Sequence, residues 1–431
     1  MASGRDGTNE PGAGVAAPEL GASPAGIGLQ RPGRLNRACV PCLAKDLRAL
    51  GRSAAKVPVL SYFTGAGLLD LGFAKFKFDV VWRNENNPHF IRGFQYAMSA
   101  RRGGGHLITN QGSIDDIGPR AVLRQAFGGS GRPDTFGIIG GPPCPDFSRM
   151  GKHLGEHGDH GKLSNDYVDH ILAIRPSFFL LENVPGLFRV KKIFRFYKRL
   201  AARLRERYYV DDVILNALDF GVPQNRERVF AVGFRKDWLR KRIDVSGIDG
   251  AGGWFPWPIN DDYDGAKQKY DWPGRAPFGG APVKPEGIPA CLMTGTHICR
   301  EDEDLALLPN GEDKFNARSD KFTRIEEGDD TRKSFKRLHR WRYSPTAAYG
   351  NNEVHLHPKE ARRLSVREVM RLQTVPDWYA LPADMPLSHK FKMIGNGVPT
   401  GLAEAVAGSI FRVLNGKWSG IPQACCRTPK Q

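Results

Sequence analysis

The chain holds 431 residues, with 63 Lys and Arg against 46 Asp and Glu, a net charge of +17 at neutral pH. That length suits two or three domain-sized units with a sizeable core, and no apolar run approaches the roughly 18 residues that a spanning helix needs. Seven cysteines are too sparse for a secreted disulfide scaffold, so free thiols in a reducing, cytoplasmic setting are expected, and the basic excess points to a polyanion, most simply nucleic acid. A merely solvated Lys/Arg surface would carry the same charge.

No basic-then-apolar leader opens the chain. Residues 1–55 read as a disordered or loosely packed arm, because Gly, Ala, Pro and Arg leave few large apolar side chains to pack. Cys39 and Cys42 form a lone CxxC there; a zinc site needs a second pair, and none follows. From Val57 the texture changes. Residues 57–63, VPVLSYF, predict a buried strand, followed by the turn Thr64-Gly65-Ala66-Gly67 and a helix over 68–73. Further strands are predicted at 78–83, 135–139, 178–181 and 229–234, each beside a turn or polar segment. Strands alternating with helical stretches imply a mainly parallel α/β sheet.

Residues 188–207 predict a very basic helix in which Val190, Ile193, Phe194, Tyr197, Leu200 and Leu204 form the buried stripe. Between about 236 and 336 the alternation fails; Gly, Pro, Asp and Trp dominate, and a smaller irregular inserted domain is expected. Residues 332–342 then carry six Lys and Arg without an acid, interleaved with Phe335, Leu338 and Trp341, a pattern that suits phosphate contact. Helical pattern resumes at 364–372 and closes at 409–414.

Four clusters carry chemistry. Gly65 and Gly67, between a strand and a helix, let backbone approach a ligand closely, and Glu85, at the end of the next strand, stands where a carboxylate binds ribose hydroxyls. That pair fits NAD and S-adenosylmethionine alike. The second cluster, Gly140-Gly141-Pro142-Pro143-Cys144-Pro145, holds a cysteine between prolines at a strand end, where a thiolate nucleophile would keep one orientation. Glu182-Asn183-Val184 ends another strand, and Gln224-Asn225-Arg226-Glu227-Arg228 brings two arginines to one face of an incoming strand.

In this order the clusters resemble the DNA (cytosine-5) methyltransferases in their bacterial, Dcm-like form. The resemblance runs from about Val57 to Leu414 and includes, downstream, Arg363-Leu364-Ser365-Val366-Arg367-Glu368, Leu372-Gln373-Thr374 and Gly395-Asn396-Gly397-Val398-Pro399. It implies a Rossmann-like, S-adenosylmethionine-dependent methyltransferase fold with a smaller irregular target-recognition domain. The implied organisation is an arm over 1–55, a catalytic domain over 56–235 and 343–418, target recognition over 236–342, and a tail over 419–431.

By the same resemblance, Cys144 attacks C6 of a flipped cytosine, Glu182 supports protonation at N3, Arg228 binds O2, and Arg226 helps hold the carboxylate. Phe63, Gly65, Gly67, Glu85, Ser113, Ile114, Pro143 and Asn396 line the S-adenosylmethionine pocket. Residues 151–161 form the closing loop; its His153, His157 and His160 are read as solvated, and no metal is expected. The implied partner is double-stranded DNA, with a cognate restriction endonuclease system raised as a further one, no membrane, and a monomeric state. Leu68, Ser113, Pro145 and Thr400 depart from the family's usual glycine, aspartate, glutamine and second proline. Methylation of tRNA, a catalytically silent nucleic-acid binder and an NAD oxidoreductase are the competing readings, and the last leaves Pro142-Pro143-Cys144 unexplained.

Overall fold

The computed structural model describes residues 37–39 (backbone only), 56–99, 108–128, 131–143, 159–248, 252–301, 303–316, 319–332, 334–346 and 354–416. Six strands make the central sheet: β1 (Val57–Tyr62), β2 (Phe78–Arg83), β3 (Gly137–Gly140), β4 (Phe178–Asn183), β5 (Tyr208–Asn216) and β6 (Glu227–Arg235). Their order is β2-β1-β3-β4-β6-β5. All neighbours run parallel except β6, which is antiparallel to both β4 and β5. The mainly parallel α/β fold expected from the sequence is therefore present.

Period-two alternation sends neighbouring side chains to opposite faces of this sheet. Val59, Phe178, Leu180, Phe230, Val232 and Phe234 belong to one core. Leu60, Ile138, Phe179, Leu181, Val229 and Ala231 belong to the other. Burial on both faces explains why these strands read as unbroken apolar runs. The first face is covered by α1 (Leu68–Phe73) and the helix Thr400–Leu414; Gly72 lies so close to Ala403 that a Cβ on it would stand 2.5 Å from the alanine methyl. The second is covered by Pro119–Phe127, Asp159–Ile174 and Lys191–Arg205.

Several expectations shift. The strand β5 is absent from the sequence reading because Asp211 and Asp212 interrupt its apolar pattern; folding employs both, Asp211 accepting the Phe255 N–H at 2.8 Å and Asp212 the Tyr197 hydroxyl at 2.8 Å. In the basic helix Lys191–Arg205, Phe196 joins the buried stripe, while Val190 caps the helix in an extended conformation and is 41% exposed. The final helix spans Thr400–Leu414 rather than 409–414, its small residues having masked the pattern. Arg37–Cys39, inside the expected loose arm, pairs in parallel with Trp257–Ile259. Beyond 236, Trp238, Leu239, Trp254, Phe255 and Trp257 join the core that contains Val59 and Phe178.

Candidate active site

A β1 flanked by β2 on one side and β3 on the other reverses the strand order, and ligands bind at the carboxyl ends of strands around such a point. The candidate residues gather there. Phe63 follows β1 with φ 54°, a left-handed backbone that a non-glycine residue adopts only under constraint. Gly65 (φ 54°) and Gly67 (φ 67°) continue the turn. Glu85, after β2, accepts N–H bonds from Gly65 (2.8 Å), Asn86 (3.0 Å) and Asn87 (2.9 Å). Burial pushes its carboxyl above the usual range, with the three N–H groups pulling the other way.

At the end of β4, Glu182 places Oε1 3.0 Å from Nε of Arg228, with the two side chains 12% and 8% exposed. The antiparallel direction of β6 is what delivers Arg228 to this edge: Phe230 and Val229 register with Glu182 and Asn183. Arg228 also donates from an Nη to the Glu227 carbonyl at 2.7 Å. Burial raises the Glu182 carboxyl, while Arg228 and Arg226 act to lower it; its net direction is upward. The Arg226 guanidinium, fully buried, donates to the carbonyls of Gly395 (2.5 Å) and Gly397 (3.0 Å), holding the end of the helix that carries Asn396, and its charge acts to lower the Glu182 carboxyl.

One cleft of about 1100 Å³ is lined by Phe63, Gly65, Glu85, Ser113, Ile114, Pro143, Glu182, Arg226, Arg228 and Asn396. Gly67 stands apart from this lining: a Cβ on it would lie 2.4 Å from the Phe94 ring, so packing demands the glycine. Cys144 and Pro145 lie outside the described residues, as do His153 and His157, and of His160 only the backbone is described. Three supporting residues were not singled out as site residues from sequence. Gly141 leaves room for Glu182, since a Cβ there would stand 2.6 Å from Oε2. Asn183 Nδ2 donates to the Pro142 carbonyl (3.1 Å), and the Ser164 hydroxyl to that of Pro143 (3.2 Å). Both hold the segment that leads into Cys144.

A family model described as C-5 cytosine-specific DNA methylase matches residues 57–251 and 295–412. The chain belongs to that family. This DNA methylase is 41% identical over 363 residues to Type II methyltransferase M.NmeDI of Neisseria meningitidis serogroup C, covering 82% of the chain and 83% of the relative. It is 31% identical to Type II methyltransferase M.MthTI of Methanothermobacter thermautotrophicus, covering 83% and 98%. The solved S. pombe Dnmt2 methyltransferase shares its fold, with a TM-score of 0.53 at 13% identity over 84% of this chain and 98% of that one. The chain is thus a C5 cytosine DNA methyltransferase, whose reaction requires a methyl donor.

The methylase departs from its family's pattern with local compensation. Leu68 reaches the space where a Cβ on Gly397 would come within 2.6 Å of it, so the bulk added at one position meets a glycine at the other. Thr400, in place of a proline, bonds the Thr374 hydroxyl at 3.0 Å, and that hydroxyl also accepts the Gly401 N–H at 3.0 Å. Lys162 holds the Asp115 carboxyl below the usual range, and a hydrogen bond from Ser113 acts the same way. The motif around Ser365 is structural: Ser365 and Glu368 form a capping box, and Arg362 grips both oxygens of Glu368 at 2.8 Å.

Two arginines of the basic run 332–342 are turned inward in the methylase. Arg337 is fully buried over the Phe278 ring and donates to four carbonyls. Arg340 binds the fully buried Glu327 through Nε (2.8 Å) and Nη2 (2.7 Å). Leu338 and Phe335 of the same run pack into apolar clusters, while cation-to-carbonyl and ion-pair contacts hold these two arginines, and the expected phosphate contact does not apply to them. No helix among the described residues is long and apolar enough to cross a membrane.

Proposed function

We propose that this methyltransferase transfers a methyl group from S-adenosylmethionine to C5 of a cytosine flipped out of a specific duplex DNA sequence, through a transient bond between Cys144 and C6. The observation that carries the reading is the buried Glu182 carboxyl, raised by desolvation, set against Arg228 beside Pro142–Pro143. A carboxyl whose proton affinity is raised can hydrogen-bond and protonate N3 of cytosine. Arg228 stands ready to balance charge on O2. The Cys144 thiolate would form a bond to C6, pushing electron density to C5. After methylation the C5 proton leaves to a base, the S–C6 bond breaks to restore the thiolate, and N3 returns its proton to Glu182.

The chain's residues fit the cofactor. Phe63 offers a ring at the cleft, Oε2 of Glu85 accepts, among the described residues, the Gly65 N–H alone and keeps a lone pair for a ribose hydroxyl, and Ser113, Ile114, Pro143 and Asn396 complete the lining. S-adenosylmethionine supplies, when bound, an electrophilic methyl on a sulfonium. The cleft volume, just above the usual range for one small-ligand pocket, leaves room for a base as well. Residues 236–342, apart from the Trp238–Trp257 stretch that packs into the main core, are assigned to target recognition, and the names of the Type II relatives support a restriction-modification setting with a cognate endonuclease.

The test is transfer of labelled methyl from S-adenosylmethionine to unmethylated duplex DNA, with bulk tRNA and Cys144→Ala in parallel. Label on C5 of DNA cytosine, lost in the variant, is the expected result. Label on tRNA alone overturns the substrate, and an active Cys144→Ala overturns the covalent route.

A further inference from the structure

Five cations line the cleft among the described residues: Arg189, Arg226, Arg228, Lys267 and Lys392. Three are engaged. Arg189 pairs with Glu227 at 2.6 Å, Arg226 holds the Gly395 and Gly397 carbonyls, and Arg228 faces Glu182. Lys392 belongs to the helix Leu387–Asn396, which carries Asn396 of the candidate cofactor lining. Lys267 differs in origin. Of all described residues between 236 and 342, it is the single one that reaches the cleft.

Lys267 is exposed, and no carboxylate pairs with it among the described residues, yet its backbone is firmly held. The short helix Ala266–Lys269 follows Gly265 at φ 69°. Ala266 is fully buried with Leu218 and Leu292, its N–H donates to Asp219 at 3.2 Å, and its carbonyl accepts the Trp272 indole N–H at 3.2 Å. Neighbouring Lys269 is tied to the Asp262 carbonyl at 2.7 Å. A fixed backbone thus presents one free ammonium at the cleft, among the described residues.

We infer that Lys267 binds a backbone phosphate of the DNA strand whose cytosine enters the cleft, linking the 236–342 region directly to placement of the target base. A flipped base enters the pocket while its flanking phosphates stay at the mouth, where an unpaired cation meets them. The inference rests on the proposed DNA reaction.

The test measures kcat and KM for unmethylated phage DNA, and KM for S-adenosylmethionine, across roughly 50 to 200 mM KCl, with wild type, Lys267→Ala and Lys267→Arg. Each phosphate contact contributes about 0.9 to the slope of log affinity against log salt, so the alanine variant should lose ~3.5-fold less affinity over that range than wild type. KM for DNA rises in Lys267→Ala at low salt, kcat and KM for the cofactor hold, and Lys267→Arg restores the wild-type slope. An unchanged slope, or a defect equal at every salt concentration, overturns the inference. Wild type that leaves DNA unmethylated overturns the parent reading instead.

Discussion

Nε of Arg228 lies 3.0 Å from Oε1 of Glu182, and the other oxygen of that carboxylate occupies the space a side chain at position 141 would fill. Two strands of opposite direction, β4 and β6, bring the ion pair together, and a glycine from a third strand end makes room for it. The arrangement leaves little freedom to the carboxylate, which is what a group acting on one ring nitrogen requires.

Gly141→Ala is therefore expected to displace the carboxylate without unfolding the chain. Its Cβ would stand 2.6 Å from Glu182 Oε2, the movable end of a side chain, so the carboxylate yields before the backbone does. Methyl-transfer kcat should fall by about 100-fold, as for misplacement of a reacting group by an ångström. Cofactor affinity by calorimetry and the melting temperature should stay close to wild type. A variant with undiminished kcat would separate Glu182 from the chemistry.

Glu182 also sets a pH dependence. Burial, against the opposing pull of Arg228 and Arg226, leaves its folded-state carboxyl above the ordinary range. The acid form thus persists to higher pH in the folded chain, and activity should fall as pH rises through the raised value. Stability follows the same sign: between the ordinary and the raised value the folded state binds the extra proton, so stability decreases with pH across that window. Single-turnover rates of Glu182→Gln should be lower by about 10²- to 10⁴-fold and lack this alkaline limb. Retention of the limb in the variant would assign it to another group.

Arg337→Ala should destabilise the fold and leave the salt dependence of DNA affinity unchanged. The guanidinium donates to the carbonyls of Ile325 (2.8 Å), Glu360 (3.0 Å), Phe322 and His357. Truncation leaves buried acceptors unpaired, at a cost of ~3 kcal/mol or more in urea unfolding. A change in salt slope with unchanged stability would return Arg337 to the phosphate-binding role that its neighbourhood of Lys and Arg suggests.

The sequence by itself determined the strand cores and the order of the motifs. VPVLSYF and FFLL are apolar because both faces of their strands are buried, and that signal is local. The turn glycines, Glu85, Glu182 and Arg228 were legible because each sits at a strand end, where chain direction changes and composition changes with it. Tertiary structure alone decided the rest. Pairing with β6 and hydrogen bonds to Phe255 and Tyr197 made a strand of Tyr208–Asn216 despite its two aspartates. The Phe94 ring explains the Cβ-free surface of Gly67, and the Glu182 carboxylate that of Gly141. Likewise, buried carbonyls turned Arg337 inward while Lys267 was left at the cleft. A charge run carries no record of which members find partners, because those partners arrive from residues distant in sequence, and only the folded chain brings them within hydrogen-bond range.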